Sequence, residues 1–295
     1  PLNVSRELLQ RNPELDAMRG ALTRRALDMI GKLAGDAEKY ASFWTEFGQT
    51  MKEGLIEDQQ NRDKLLKLLR FATTKSESAA QDQSLDDYLS RIVEGQDKIY
   101  YLLGESHETV KSSPHLEQLR EKGFEVLLLS DRIDPWVVEH LTEYEGKSFQ
   151  DIGRGQFTLP DSDDESSQDG ESDEHKAFLE KIRESLKDRV ETVNVSQRLV
   201  DSPACVVVND QDLTPQLRRM LEASGQELPE SKPILEINVR HPLVSRLSGE
   251  GDDTKFTELS NIVLDHALLA EGAQLDNPAD YVRRMNKFLL DLESS

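Results

Sequence analysis

The sequence predicts an α/β chain, α+β overall, of two sheet-bearing units that ends in a pair of long helices. Three observations carry this expectation. Between residues 71 and 150, short apolar runs alternate with helical stretches, the order of a small three-layer α/β/α unit around a parallel sheet. Residues 161–174 hold no apolar side chain, cannot offset ordering entropy by burial, and read as an acidic linker within 156–174. After them the alternation resumes as a mixed α/β unit, and two amphipathic helices close the chain.

The opening ten residues, Pro1-Leu-Asn-Val-Ser-Arg-Glu-Leu-Leu-Gln10, place Arg6 and Gln10 four apart on one helical face. No initiator Met or signal segment precedes them, as expected of a piece of a longer protein. Leu15, Met18, Leu22, Met29 and Leu33 then recur at helical spacing up to Gly35. Asp36 caps a second helix with the face Tyr40, Phe43, Trp44, Phe47 and Met51, which Gly54 is expected to break. Leu65, Leu66, Leu68 and Leu69 make residues 63–70 too apolar for a free surface helix, so 36–70 read as a packed helical connector.

From residue 71 the period changes. Ser84-Leu-Asp-Asp87 reads as a capping box with Asp for Glu. Residues 98–103 read as a strand, 106–111 and 114–122 as helices, and 124–129 as a strand covered on both faces. Asp134-Pro135 starts a helix expected to reach Leu141. In the last unit a helix carries Phe178, Leu179, Ile182 and Leu186. Strands fall at 190–195, 204–208 and 234–237, with a helix over 212–223 and the long helices over 253–270 and 278–292.

Composition excludes several function classes. A net charge of −21 argues against nucleic acid and anionic membrane as partners, since both need a basic surface. The single Cys205, in an apolar strand, rules out an internal disulfide and reads as a structural thiol, which fits a cytoplasmic setting. The six histidines show no metal-ligand spacing. Gly104-Glu-Ser-His107 follows a strand but lacks the glycines and Lys of a phosphate loop, so Ser106 reads as an N-cap.

Surface-forming stripes are more telling. Phe256, Leu259, Ile262, Val263, His266 and Leu269, widened by Leu264 and Leu268, line the first long helix. Tyr281, Val282, Met285, Phe288 and Leu289 line the second. A two-helix hairpin cannot hide this area, so a four-helix-bundle homodimer is expected, with packing onto the chain's own strands as the alternative. Leu213, Leu217, Met220 and Leu221 stripe the helix over 212–223, read either as core or as an exposed surface for apolar segments of other proteins. Trp136 carries the same two readings.

These residues resemble the heat-shock protein 90 family. The likeness runs through the opening ten residues, Lys67-Leu-Leu-Arg-Phe71, Gly95-Gln-Asp-Lys-Ile-Tyr-Tyr101, Ser113-Pro-His-Leu116, Glu125-Val-Leu-Leu-Leu-Ser-Asp131, Tyr144-Glu-Gly-Lys147, Ala267-Leu-Leu-Ala270 and Arg283-Arg-Met-Asn286. It is closest to the bacterial type, and the ending Glu293-Ser-Ser295 lacks the Met-Glu-Glu-Val-Asp tail of eukaryotic cytosolic members. The resemblance implies a stress-response, ATP-dependent homodimeric chaperone that binds unfolded or partly folded client proteins. It implies that residues 1–35 end the large α/β part of a middle domain, 71–155 form its small α/β/α part, and 175–295 form a C-terminal dimerisation domain. Arg6 matches an arginine that reaches the ATP γ-phosphate, with Gln10 beside it. Trp136, Leu213, Leu217, Met220 and Leu221 match client contacts, with Met220 the one methionine among them. ATP and magnesium would belong to the full-length protein, an expected ATPase. This chain would hold no cofactor and no metal, and would not be an enzyme alone. The alternative is a dimeric protein-interaction scaffold without chaperone activity.

Overall fold

The computed structural model describes residues 13–155, 157 and 173–293, apart from positions 77, 211, 227 and 230. The chain is mixed α/β, as the sequence pattern predicts. It opens with α1 (Pro13–Leu33) and α2 (Ala37–Glu57). Asp36 caps α2 by accepting the Lys39 N–H at 3.2 Å. Gly54 does not break this helix: α2 runs on to Glu57, and the Asp58 N–H returns to the Gly54 carbonyl at 2.9 Å. An interior glycine costs only about 1 kcal/mol, and burial of Met51 and Leu55 on either side outweighs it. On α1 only Leu27 is buried, and Met18, Leu22 and Met29 stand exposed.

α3 (Arg62–Leu68), β1 (Ala72–Thr73) and α4 (Leu85–Ser90) follow. The capping box of α4 is complete: Ser84 Oγ accepts the Asp87 N–H, and Asp87 Oδ2 accepts the Ser84 N–H, both at 3.0 Å. Next come β2 (Lys98–Leu103), α5 (His107–Lys111), α6 (Glu117–Glu121), β3 (Val126–Leu129) and α7 (Asp134–Val137). The helix expected to run to Leu141 is α7 plus a 3-10 turn over Val138–His140. β4 (Glu143–Tyr144) and β5 (Lys147–Asp151) complete a sheet in the order β1-β3-β2-β5-β4. β2 is parallel to β3 and β5, while β1 and β4 are antiparallel edges.

The pleat of β3 sets the layers. Leu127 and Leu129 face a cluster with Leu55, Leu65, Tyr88 and Val137, so the segment expected as a connector forms a helical layer of this unit. Val126 and Leu128 face the opposite cluster, with Val110, Leu116 and Leu119.

Positions 158–172, most of the acidic stretch, lie outside the described residues. Its last two, Asp173 and Glu174, belong to α8 (Asp173–Ser185). β6 (Val193–Val195), β7 (Ala204–Val207), α9 (Pro215–Ala223), β8 (Ile234–Ile237), α10 (Pro242–Ser248), α11 (Asp253–Ala270) and α12 (Pro278–Glu293) follow. The second sheet has the order β6-β8-β7, with β6 parallel and β7 antiparallel to β8. Helices α8, α10 and α11 cover one face through Ile182, Leu247, Phe256 and Val263 against Leu235 and Ile237. Cys205 is fully buried on the other face with Leu199 and Val207. No helix among the described residues is long and apolar enough to cross a membrane.

Candidate functional site

The two units meet at a buried junction centred on Arg198. Its guanidinium bonds Glu236 through Nε at 2.9 Å and Nη2 at 3.0 Å. From the first unit it bonds the carbonyls of Ile152 and Gly155 and, at 3.2 Å, His115 Nδ1. With Nδ1 accepting, the His115 Nε2–H points at the Val206 carbonyl, 3.1 Å away. Burial, reinforced by the Arg198 charge, pushes the His115 pKa down to about 3, so this ring is neutral. Gly155 has φ +53°, and a Cβ there would lie 2.2 Å from Asp210 Oδ1, so any other residue would be strained and would displace the Asp210 side chain.

Carboxylates complete the junction. Glu117 of α6 accepts the backbone N–H groups of Val200, Asp201 and Ser202 at 2.6, 2.8 and 3.1 Å. Glu271, at the end of α11, accepts the Ser113 hydroxyl at 3.0 Å, yet burial raises its carboxyl to about 7. Burial likewise raises Asp151 to about 6.

Beside this junction lies an open cleft of about 330 Å³. Pro135 of α7 and Met220 of α9 both line it, together with Glu105, Asp131, Arg132 and Arg219. α9 is defined locally at both ends. Thr214 Oγ1 accepts the Leu217 N–H at 3.3 Å. The far end is a Schellman motif: Gly225 sits at φ +86°, its N–H bonds the Glu222 carbonyl at 2.9 Å, and the Gln226 N–H bonds Leu221 O at 3.1 Å. The stripe residues Leu213, Leu217, Met220 and Leu221 are half-buried and join no core cluster. An ion pair between Arg219 and Glu105 ties α9 to the loop after β2. Trp136 is 39% exposed on a short helix whose Asp134, Pro135 and Val137 are buried. The structure therefore brings the two sequence-predicted contact elements to the borders of one cleft.

The closing helices divide differently from the sequence expectation. Phe256, Leu259, Val263 and Leu264, expected at a contact with a second copy, are buried in their own unit's core. The reason is that α11 lies on the small sheet, the alternative left open by the periodicity. Leu268 and Phe288 are half-buried against the same core, and Phe288 carries the Arg246 guanidinium 5.1 Å above its ring. Tyr281 meets His266 edge-on at 5.7 Å, and Met285 is half-buried. Val282, Leu289 and the neighbouring Leu269 are exposed. Arg6 and Gln10 lie outside the described residues.

Sequence reasoning missed the buried charges Lys52 and Arg198 and the half-buried carboxylates Glu117 and Glu271. Lys52 left a signal: with Trp44 and Gly48 it follows the i, i+4, i+8 line of buried positions on α2. Arg198, in an irregular segment, left none. Among the described residues no His, Cys, Asp and Glu group could hold a metal ion. A family model described as Hsp90 protein matches residues 1–293 of the chain.

Proposed function

The chain belongs to the Hsp90 protein family of molecular chaperones, and on that premise we propose that it is the client-binding and homodimerising portion of an ATP-dependent chaperone of bacterial type. The observation that carries the reading is the meeting of Pro135 and Met220 at one cleft. A cleft where Pro135 and Met220 stand among charged side chains suits segments of partly folded proteins that mix apolar and polar residues, and α9, lacking any fully buried stripe residue, has apolar surface to offer them. Substituting Leu217→Asp places a charge in the stripe. It is expected to abolish suppression of aggregation of a chemically unfolded protein, with the far-UV circular dichroism of the chain unchanged. Retained suppression refutes the contact.

Pairing with a second copy is assigned to the exposed residues Val282, Leu289 and Leu269. Such an interface should bury at least about 1,000 Å² in total. Sedimentation of Leu289→Asp should give a monomer where the parent chain gives a dimer.

The contact of Arg6 and Gln10 with an ATP γ-phosphate rests on family resemblance alone. In a protein that also carries the nucleotide-binding domain, Arg6→Ala should slow ATP turnover and leave dimerisation intact. Magnesium and ATP would be held there, and the present chain alone should show no heat of ATP binding. The setting we infer is cytoplasmic.

A further inference from the structure

Trp136 is presented by a short helix, and what fixes that helix comes from another part of the chain. Lys52 of α2 is 1% exposed at its side chain. Its ammonium bonds Asp131 Oδ2 at 2.7 Å and Asp134 Oδ1 at 2.8 Å. Asp134 is the first residue of α7. Its other oxygen accepts the Asp131 N–H at 2.9 Å, and the Asp134 N–H returns to the Asp131 carbonyl at 3.0 Å, which closes the loop ahead of Trp136. A second arm reaches Asp131 from α2. Trp44 Nε1 donates to Gln81 Oε1 at 3.0 Å, and Gln81 Nε2 donates to Asp131 Oδ2 at 3.0 Å.

We propose that Lys52 is a positioning residue for Trp136: the network Lys52–Asp131–Asp134, braced by Trp44 and Gln81, couples the placement of α2 to the exposed indole. The proposal rests on the reading of Trp136 as a client contact. Three features carry it. The Lys52 bonds are charge-assisted and short, and Lys52 and Asp134 are buried, so α2 and α7 cannot separate without stranding a buried charge. Asp131 and Asp134 are five and two residues from Trp136, with no other element between. And α2 reaches Asp131 through two of its own side chains, so a shift along the helix axis is transmitted as well as a tilt. The Trp136 N–H closes on the Ile133 carbonyl at 3.0 Å, which makes the indole follow the loop.

The test uses Lys52→Met and the milder Gln81→Leu in the 295-residue chain. Acrylamide quenching of tryptophan fluorescence reports Trp136, because Trp44 is buried and Trp136 is not. Binding is read with fluorescently labelled, carboxymethylated α-lactalbumin, which cannot refold. Expected is a changed quenching constant and a Kd raised about fivefold for Lys52→Met and about twofold for Gln81→Leu, within the range for residues sharing one network. In a Trp136→Ala background neither substitution should change Kd further. An equal rise in both backgrounds would mean a general structural effect and overturn the proposal. So would unchanged quenching and Kd in a folded Lys52→Met. If Lys52→Met does not fold, Gln81→Leu, which removes no charge, decides by the same criteria. If Trp136→Ala alone leaves Kd unaltered, the client reading of Trp136 fails, and quenching still decides whether Lys52 sets the indole's placement.

Discussion

The two units touch at two neighbouring places, the junction around Arg198 and the cleft beside α9, and these are built from opposite materials. At the junction a buried guanidinium has five acceptors drawn from both units, and the half-buried Glu117 carboxylate holds three consecutive backbone N–H groups. At the cleft, α9 presents the half-buried Met220, at the edge of its half-buried apolar stripe, and is tied across by an ion pair whose partners are 37% and 43% exposed. Desolvated, directional bonds fix one geometry. An apolar stripe with weak ties tolerates several. The contrast teaches a division of labour: the junction sets the angle between the units, and the surface next to it stays free to adapt to unlike partners.

The strongest way to break this contrast is Arg198→Met. It leaves Glu236 buried without its cation and strands the Ile152 and Gly155 carbonyls. Removing one member of a buried pair costs about 3–5 kcal/mol, and that loss should appear in urea unfolding. Both units should lose protection in hydrogen exchange at the junction. A loss below about 1 kcal/mol would mean the junction is no firmer than the cleft.

Glu271→Gln sharpens the same comparison through pH. The folded carboxyl is raised by burial from 4.5 to about 7, so the folded chain binds this proton more tightly than the unfolded chain. Stability from this group is full below pH 4.5 and is lost as pH rises through about 7. His115 acts in the opposite sense: its folded value near 3 lies below 6.5, so its contribution is lost on acidification. Asp151 shares the sense of Glu271, over 3.8 to about 6. Both persist in the variant; His115, whose Nε2 lies 3.5 Å from Glu271, changes charge only below the window compared. Glu271→Gln keeps an acceptor for Ser113 and has no proton to lose. It should be more stable than the parent well above pH 7, by roughly 2 kcal/mol, with the gap closing toward pH 4.5. A gap that does not change with pH would show that Glu271 is not held protonated at the junction.

The legibility of these regions in the sequence follows from their physics. β2 and β3 are apolar runs and were readable; β5, Lys-Ser-Phe-Gln-Asp, is polar apart from Phe149 and gives no alternation to read. Ser84 and Asp36 were readable as caps because capping is a local interaction. The apolar faces of α9 and α11 were readable too, but period tells only that a face exists, not what covers it. On α11 the cover is the chain's own sheet; on α9 it is partial. The junction was illegible because Arg198, His115, Glu117 and Glu271 lie up to 156 residues apart and meet only through the packing of two units. Lys52 was the exception, a charge set on a buried helical line.

The smallest expected effect is the most discriminating. Glu105→Gln removes the carboxylate facing Arg219 while keeping size and polarity. An exposed ion pair contributes about 0–1 kcal/mol, so the urea midpoint should move little. Local opening of α9 should nevertheless rise up to about fivefold, the population shift that 1 kcal/mol allows, and should be read in amide exchange over 215–223. In the parent chain the same opening should increase with added salt, because screening weakens an exposed pair. In Glu105→Gln that salt response should shrink, with exchange at the Arg198 junction unchanged. If Glu105→Gln instead loosens the junction, or lowers global stability as Arg198→Met does, the two contacts form one cooperative interface, and the adaptable surface cannot be separated from the joint that supports it.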